Sequence, residues 1–224
     1  MDEREADFLT RFLVESDAIE GIRNDPDEVR QHFERGAPRG PGVPIGHPGA
    51  LLFLRSMTVP ISESLVQRVQ RLIVDAQHLK GQRKLHPAEK GAWRTFNVRM
   101  RTSDDITRPP RLIGSRWEAV PRDMAIWIAA ARLLEEDRDR TPREHITGIA
   151  SLHWLYERIH PFADGNGRSG RALVYYLYRR MGLVPFVFTA DARHRSYYPC
   201  FERSTPELMQ RYFLDRSADA RAAS

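Results

Sequence analysis

Apolar side chains recur at helical spacing in most of the long stretches of this chain. A spacing of three or four residues places side chains on one face of a helix, so each stretch is predicted to be an amphipathic helix. The chain is therefore predicted to be mainly α. The clearest stripes are Phe8, Phe12, Leu13 and Ile19; Leu65, Val69, Leu72 and Ile73; and Ile146, Ile149, Leu152, Tyr156 and Ile159.

One stretch follows a different period. Phe96, Val98 and Met100 alternate with polar side chains between residues 95 and 101. A period of two is typical of a half-buried strand. A polar turn follows at residues 103–105, and two prolines at 109–110 end the return arm. We therefore expect one β-hairpin in an otherwise helical protein.

Glycine and proline divide the chain into segments. Nine of the fourteen residues from 36 to 49 are glycine or proline, which is typical of a linker or a long loop. We expect residues 1–35 to form an N-terminal helical element that this linker connects to a main domain at 50–215. Residues 216–224 are expected to be a flexible tail.

Composition and charge exclude several classes of protein. Hydrophobic residues make up 41% of the 224, enough for one core of ordinary size. The net charge of +5 favours anionic partners, but lysines and arginines form no consecutive block, so no specific nucleic-acid binding is expected. The single cysteine, Cys200, excludes an internal disulfide and is expected to be buried. The acidic N-terminus does not resemble a signal peptide, and the longest apolar run, Met124–Ala131, is too short to span a bilayer. A cytoplasmic protein without a membrane partner is expected.

The stretch "IHPFADGNGRSGR", residues 159–171, concentrates chemistry between two predicted helices. Glycines at a helix N-terminus let backbone N–H groups approach a phosphate. Two arginines three positions apart present guanidinium groups from one helix face, and an aspartate beside them can hold magnesium. A histidine has a pKa suited to a general base near neutrality. Taken alone, a Gly-Asn-Gly sequence is usually a turn. His153 and His160 have no suitably spaced third ligand for a metal.

This string resembles the signature of Fic-domain proteins: His, any, Phe, any, Asp or Glu, Gly-Asn-Gly-Arg, two of any, Arg. The preceding "LHWLYERI" and the upstream "GAWRTFNVRM" resemble the family as well, and the resemblance covers approximately residues 50–211. It implies an all-helical core with one hairpin flap. It also implies AMPylation, the transfer of AMP from ATP to a protein hydroxyl.

The resemblance also implies a role for each residue of the loop. His160 resembles the general base, and Phe162 anchors the loop in the core. Asp164 resembles the ligand of Mg²⁺, with Mn²⁺ as the alternative ion. The remaining roles are an anion hole at Gly165, Asn166 and Gly167, an α/β-phosphate contact at Arg168 and a γ-phosphate clamp at Arg171. Relatives that phosphorylate, such as the Doc toxin, carry lysine near the second glycine, so Gly167 favours AMP transfer.

A second motif lies far from the loop. Ser16, Glu20 and Gly21 fit the family's inhibitory pattern of Ser or Thr, three of any, Glu, then Gly or Asn. Ser16 and Glu20 are one helical turn apart, so Glu20 can pair with Arg171 and remove it from the γ-phosphate. The resemblance therefore extends to the class with an N-terminal inhibitory helix. Many relatives have a second serine where this chain has Asp17.

Other roles follow from the resemblance alone. Tyr197 and Tyr198 resemble a tyrosine pair near the nucleoside, with ordinary core aromatics as the alternative. The target chain, bearing a Ser, Thr or Tyr hydroxyl, is expected to dock along the flap at Asn97, Val98 and Arg99. Modification of the protein itself is expected, and a homodimer is left open. The alternatives for function are another nucleotide donor, removal of AMP with Glu20 positioning water, or a non-catalytic nucleotide-binding regulator.

Overall fold

The computed structural model describes residues 1–35, 46–75, 84–100, 111–191 and 193–222. Within these ranges the chain is mainly helical, as predicted. The α-helices are α1 Glu3–Ile19, α2 Pro26–Arg35, α3 Gly46–Ser56, α4 Glu63–Asp75, α5 Val120–Glu136, α6 Pro142–Ile159, α7 Asn166–Arg180 and α8 Glu207–Ala222. Two strands, β1 Val98–Met100 and β2 Arg111–Ile113, pair in antiparallel register, with Val98 opposite Ile113.

Helix α7 occupies the centre of the fold. All residues from 168 to 178 of this helix are buried, and α7 packs against α1, α3, α4 and α6. Helix α6 in turn packs against α5, α7 and α8. A bulky indole supports this arrangement, because Trp127 on α5 donates to the carbonyl of Leu152 at 2.7 Å. The two helices that flank the predicted site loop, α6 and α7, are therefore each packed against several other helices of the core.

Local sequence signals account for the start of α6. Thr141 is the N-cap and its side chain accepts from the Glu144 N–H, while the Glu144 carboxylate accepts from the Thr141 N–H at 2.8 Å. This reciprocal pair is a capping box, which satisfies two N–H groups that the helix itself leaves unpaired. Pro142 follows at the first helical position, where its missing N–H costs nothing.

Helix α1 packs on the body through aromatic side chains. Phe8 and Phe12 lie 6.0 and 5.8 Å from the ring of Tyr175 on α7. Phe12 and Leu13 are each 1% exposed. Burying side chains of this size contributes about 1.5–3 kcal/mol each, so α1 is held to the body by apolar contact as well as by polar contact.

The predicted boundaries need two corrections. Helix α3 begins at Gly46, four residues before the expected start of the main domain, and residues 36–45 of the expected linker lie outside the described ranges. Residues 216–222, expected to be a flexible tail, continue α8. The hydroxyl groups of Ser217 and Tyr178 are 2.8 Å apart, and this buried hydrogen bond fixes the last turns of α8 to α7.

The predicted hairpin is present only in part. β1 and β2 are paired, but the turn expected at 103–105 and the two prolines lie outside the described residues. A role for these strands as a flap stays a prediction. Cys200 is 2% exposed, as expected of a buried apolar residue. Within the ranges that the structure describes, no helix has both the length and the apolar character needed to cross a membrane.

Candidate active site

His160 begins the loop between α6 and α7. It is the C-cap of α6 and adopts the left-handed conformation at φ 53°, which is uncommon for a residue other than glycine. Its backbone N–H donates to the Tyr156 carbonyl at 2.9 Å. Burial lowers the pKa of His160, although a hydrogen bond to the Glu157 carbonyl opposes that shift. The imidazole is therefore neutral near pH 7 and ready to accept a proton.

A buried arginine fixes the backbone beneath His160. Arg94, 3% exposed, donates to the carbonyls of His160 at 2.7 Å, of Phe96 at 2.8 Å and of Ile159 at 3.3 Å, and also to the carbonyl of Ser115. A guanidinium presents five N–H donors in a fixed fork, so one side chain can satisfy several carbonyls. Arg94 thus joins the approach to β1 to the end of α6.

The loop is closed by Asn166, the first residue of α7. Its Oδ1 accepts from the Phe162 N–H and its Nδ2 donates to the Phe162 carbonyl, both at 2.9 Å. Phe162 is fully buried with its ring 4.9 Å from that of Trp93. The expected anchor at Phe162 is thus present. The side chain of Asn166, however, holds the loop and does not point into an anion hole, so the backbone N–H is the group it can offer there.

Gly165 determines how closely the loop packs before α7 begins. It is the N-cap at φ 77°, and a Cβ at this position would lie 2.9 Å from Val74 Cγ1. A side chain is therefore excluded by both conformation and space. The N–H groups of the first helical turn have no carbonyl partner within α7, and they carry the positive end of the helix dipole. The geometry fits an anion at this end of α7.

Asp164 and Arg168 lie side by side at the mouth of the loop. Asp164 Oδ1 is 3.8 Å from Arg168 Nη2 and accepts from the Gly165 N–H, and its carbonyl accepts from Gln70 Nε2 at 2.9 Å. The Asp164 side chain is 35% exposed, while that of Arg168 is 6% exposed. Mg²⁺ is commonly held by one or two carboxylates together with substrate phosphates, and an accessible carboxylate beside an anion site fits that donor set.

Arg171 is bound by helix α1. Its Nε donates to Ser16 Oγ at 2.9 Å, and its Nη2 donates to Ser16 O at 2.9 Å and to Glu20 Oε1 at 2.8 Å. The Arg171 side chain is 1% exposed. Burial lowers the pKa of Arg171, but Glu20, Tyr197 and Glu157 together outweigh burial and hold the pKa above its ordinary value. The structure therefore brings Glu20 into contact with Arg171, and it adds Ser16 as a second partner of the arginine.

Gly167 is the point where the two motifs touch. A Cβ placed on Gly167 would collide with Glu20 Oε1 and lie 3.0 Å from Arg171 Nη1. Glu20 therefore occupies the space directly above the first turn of α7. Gly21, at φ 77°, follows Glu20 and ends α1, so the carboxylate sits at the very end of its helix. The expected phosphate cradle and the Glu20 carboxylate share one space.

Asp17 explains a departure from the common inhibitory pattern. It pairs with His47 Nδ1 on α3 at 2.7 Å and accepts from Asn24 Nδ2 at 2.7 Å. Burial raises the pKa of Asp17, but the contacts with His47 and Asn24 outweigh burial and leave it below the usual value. The carboxylate therefore ties α1 to α3 beside the residue that holds Arg171.

The tyrosine pair lies on the core side of the site. Tyr197 is 2% exposed, its hydroxyl is 2.7 Å from His153 Nε2, and the two rings stack at 5.9 Å. This agrees with the alternative of a core aromatic. The position of His153 within this aromatic cluster also disagrees with a metal pair. The Tyr198 hydroxyl donates to the carbonyl of Ile19 at 3.3 Å, so Tyr198 touches the end of α1. A nucleoside contact at either tyrosine stays a prediction.

The strand expected to dock the target lies beside the loop that carries His160, and docking there stays a prediction. Asn97 Oδ1 accepts from the Trp117 N–H at 3.0 Å. Val98 and Arg99 pair with β2, opposite Ile113 and Leu112. A Cβ at Gly114, just after β2, would lie 2.7 Å from His160 Cβ, so the strands adjoin the candidate base.

The match to a family profile decides the family. Residues 60–178, more than half of the chain, match the Fic/DOC family. The chain belongs to the Fic/DOC family. It is 27% identical over 190 residues to the protein adenylyltransferase Fic of Nematostella vectensis, covering 84% of this chain but 41% of that protein. The chain thus spans less than half the length of this curated relative.

Solved structures of Fic proteins share the fold. A Fic domain containing signaling protein from Bacteroides thetaiotaomicron superposes with a TM-score of 0.74 at 18% identity, covering 96% of this chain and 86% of that one. Fic-1 from C. elegans superposes with a TM-score of 0.69 at 21% identity, covering 99% of this chain and 63% of that one. At these identities the likeness shows the fold, which is the mainly helical Fic fold.

Two residues of the site could not be found from the motifs. Arg94 stands in a stretch whose signal was strand alternation, so nothing marked it as a clamp on His160. Glu157 stands three residues before His160, outside the apolar stripe of α6, a position that is typical of a solvent-facing side chain. Its Oε1 is in fact sealed from solvent. The signal that could have pointed to Glu157 is Gly170, because a glycine inside a helix leaves room for a side chain from a neighbouring helix.

Proposed function

We propose that this Fic protein transfers AMP from ATP to a hydroxyl side chain of a target protein, and that Glu20 restrains the reaction by pairing with Arg171. The curated relative from Nematostella vectensis is named a protein adenylyltransferase. The observation that carries the proposal is the loop from His160 to Arg171. It sets a neutral imidazole beside a glycine-capped helix start that is flanked by two buried guanidinium groups.

The reaction follows from these groups. The target hydroxyl gives its proton to His160, and its oxygen forms a bond to the α-phosphorus of ATP. The bond from that phosphorus to the β-phosphate bridging oxygen breaks, and pyrophosphate leaves. N–H groups at the start of α7, together with Arg168 and Arg171, stabilise the negative charge on the phosphates. Because His160 acts on the nucleophile, its removal leaves the phosphate contacts intact.

Asp164 is the residue that would hold Mg²⁺ in this scheme. The ion supplies charge that neutralises the phosphates, and its other ligands would come from ATP and water. In the described part of the chain no three His, Cys, Asp or Glu side chains form a metal-binding group. A site completed by the substrate itself is therefore the one that these residues support.

Inhibition follows from the shared space. Glu20 Oε1 bonds Arg171 and lies directly over Gly167. A γ-phosphate that used Arg171 would have to displace a carboxylate that carries the same sign of charge. ATP would then bind with its γ-phosphate misplaced and its α-phosphorus out of line with the hydroxyl. The target is proposed to reach the site by strand addition along β1.

The test uses a Glu20→Gly variant and labelled nucleotides. We expect label from the α-phosphate of ATP on protein, and none from the γ-phosphate. GTP and UTP labelled in the same way measure the donor preference. The matched control is Glu20→Gly with His160→Ala, which should bind ATP in calorimetry yet incorporate nothing. Incorporation of γ-label would show phosphate transfer and contradict the proposal, as would full incorporation by the control.

A further inference from the structure

Two carboxylates lie against α7 where this helix carries no side chain. A Cβ at Gly167 would collide with Glu20 Oε1, and a Cβ at Gly170 would collide with Glu157 Oε1. The two glycines are three residues apart and share one helix face, and Arg171 directly follows the second. Glu20 comes from α1 and Glu157 from α6, so carboxylates from two different elements reach this face of α7.

The two carboxylates differ in their surroundings. Glu20 bonds Arg171 and is 35% exposed. Glu157 Oε1 is inaccessible to solvent and has no hydrogen-bond partner within the described ranges. Burial raises the pKa of Glu157 to about 8, with Arg171 lowering it and Glu20 raising it. Glu157 is therefore protonated at pH 7 while Glu20 holds Arg171.

Several titratable groups surround Glu157. A charged or polar group reaches it from each neighbouring element: Arg171 from α7, Glu20 from α1, Tyr197 from the turn at residues 193–197, and Tyr156, His153 and His160 from α6 itself. The pKa of Tyr197 lies well above its ordinary value because of burial, so this phenol is neutral. The charged neighbours are therefore Arg171 and Glu20.

We infer that Glu157 is a positioning residue for Arg171, whose carboxylate takes over the guanidinium when Glu20 withdraws and holds it at the face of α7 until a phosphate arrives. The effect of Glu157 on ATP binding rests on the proposed function, whereas the contact between Glu157 and Arg171 does not. Arg171 is 1% exposed, and a buried guanidinium left without a carboxylate is strongly destabilised. The side chains that raise the pKa of Arg171 are Glu20, Tyr197 and Glu157. With Glu20 gone, Glu157 is the carboxylate that remains among these three.

The protonation of Glu157 differs between the state in which Glu20 holds Arg171 and the state in which Glu20 has withdrawn. Glu20 raises the pKa of Glu157 by repulsion, so withdrawal of Glu20 lowers that pKa and shifts Glu157 toward its ionised form, which Arg171 favours. Release of α1 should therefore give up a proton.

The contact is tested without any nucleotide. Glutamate labelled with ¹³C at the side-chain carboxyl is followed by NMR titration in the unsubstituted chain and in Glu20→Gln, with Glu157→Gln assigning the signal. We expect the Glu157 pKa to be lower in Glu20→Gln than in the unsubstituted chain, because the repulsion from Glu20 is removed. The same titration of the exposed Glu136→Gln variant should leave the Glu157 signal unchanged. A Glu157 pKa that is the same with and without Glu20 would overturn the inference.

The positioning role is tested by kinetics in the Glu20→Gly background. Adding Glu157→Gln should raise the KM for ATP roughly tenfold, the effect of one charge-assisted hydrogen bond, with little change in kcat. The increase should be larger at pH 8 than at pH 6, because Glu157 is ionised at the higher pH. An unchanged KM at both values would overturn the role. If Glu20→Gly transfers no AMP while the NMR shift is present, the proposed function fails and the contact stands.

Discussion

Replacing Glu20 measures how strongly α1 restrains Arg171. The Glu20–Arg171 contact is 2.8 Å, and the arginine is buried while the carboxylate is 35% exposed. Two unit charges 4 Å apart interact by about 4 kcal/mol at an effective dielectric constant near 20, and partial exposure reduces this. A charge-assisted hydrogen bond is worth about 1.5–3 kcal/mol, so about 2 kcal/mol is a reasonable net value. Removing it should raise productive ATP binding about 30-fold.

Two substitutions at the same position separate charge from volume. Glu20→Gly removes both, and Glu20 is the C-cap of α1, so glycine there does not interrupt the helix. Glu20→Gln keeps a neutral hydrogen bond of about 1 kcal/mol, so its release should be only about fivefold. The assay is incorporation of α-labelled AMP into the purified protein at subsaturating ATP.

The control is a carboxylate on the same helix that does not reach the site. Glu3 on α1 is 82% exposed and pairs with Arg30, so Glu3→Gln should leave incorporation unchanged. The double change Glu20→Gly with His160→Ala should incorporate nothing. If Glu20→Gly incorporates no more AMP than the unsubstituted protein, the Glu20–Arg171 contact holds the helix in place without restraining the reaction, and the proposed inhibition is wrong.

Three further predictions follow from the contacts. Asp164→Ala in the Glu20→Gly background should lose most AMP transfer at low Mg²⁺ and regain part of it in excess Mg²⁺ or Mn²⁺. If the dependence of transfer on metal concentration is the same with and without Asp164, this residue is not the metal ligand. Arg94→Met should lower the free energy of unfolding by about 2–4 kcal/mol in urea, since the carbonyls of the loop lose their donor. Burial lowers the pKa of His153 to about 3. Below pH 6.5 the unfolded chain binds a proton at His153 and the folded chain does not, so the free energy of unfolding should fall as the pH is lowered from 6.5 toward 3. His153→Gln should flatten this dependence in urea unfolding measured across that range.

The parts of the site that could be predicted from sequence are those that lie close together in the chain. Residues 159–171 form one loop and the first turn of one helix, so their order alone brings the base, the glycines and the arginines close together. The start of α6 was equally local, because a capping box spans four residues. The meeting of Glu20 with Arg171, 151 positions apart, came from the family pattern and not from any period.

The parts that could not be predicted depend on distant partners. Arg94 reaches the carbonyl of His160 from 66 positions away, and His47 reaches Asp17 from 30. A hydrophobic period shows which face of a helix is buried, but not which polar side chain on another element will meet it. The start of α3 at Gly46 differs from the expected boundary for a local reason, because residues 46–49 are rich in glycine and proline, which is typical of a linker.

The order of the contact along the chain has a consequence during synthesis. Ribosomes add about 5–20 residues per second, so Glu20 is made roughly 8–30 s before Arg171, 151 positions later. The segment that covers Arg171 therefore already exists when α7 is first able to fold. A nascent chain would pass through no stage in which the arginine is buried in a finished core while its covering carboxylate is still to be made. A covering helix placed after α8 would have left such an interval.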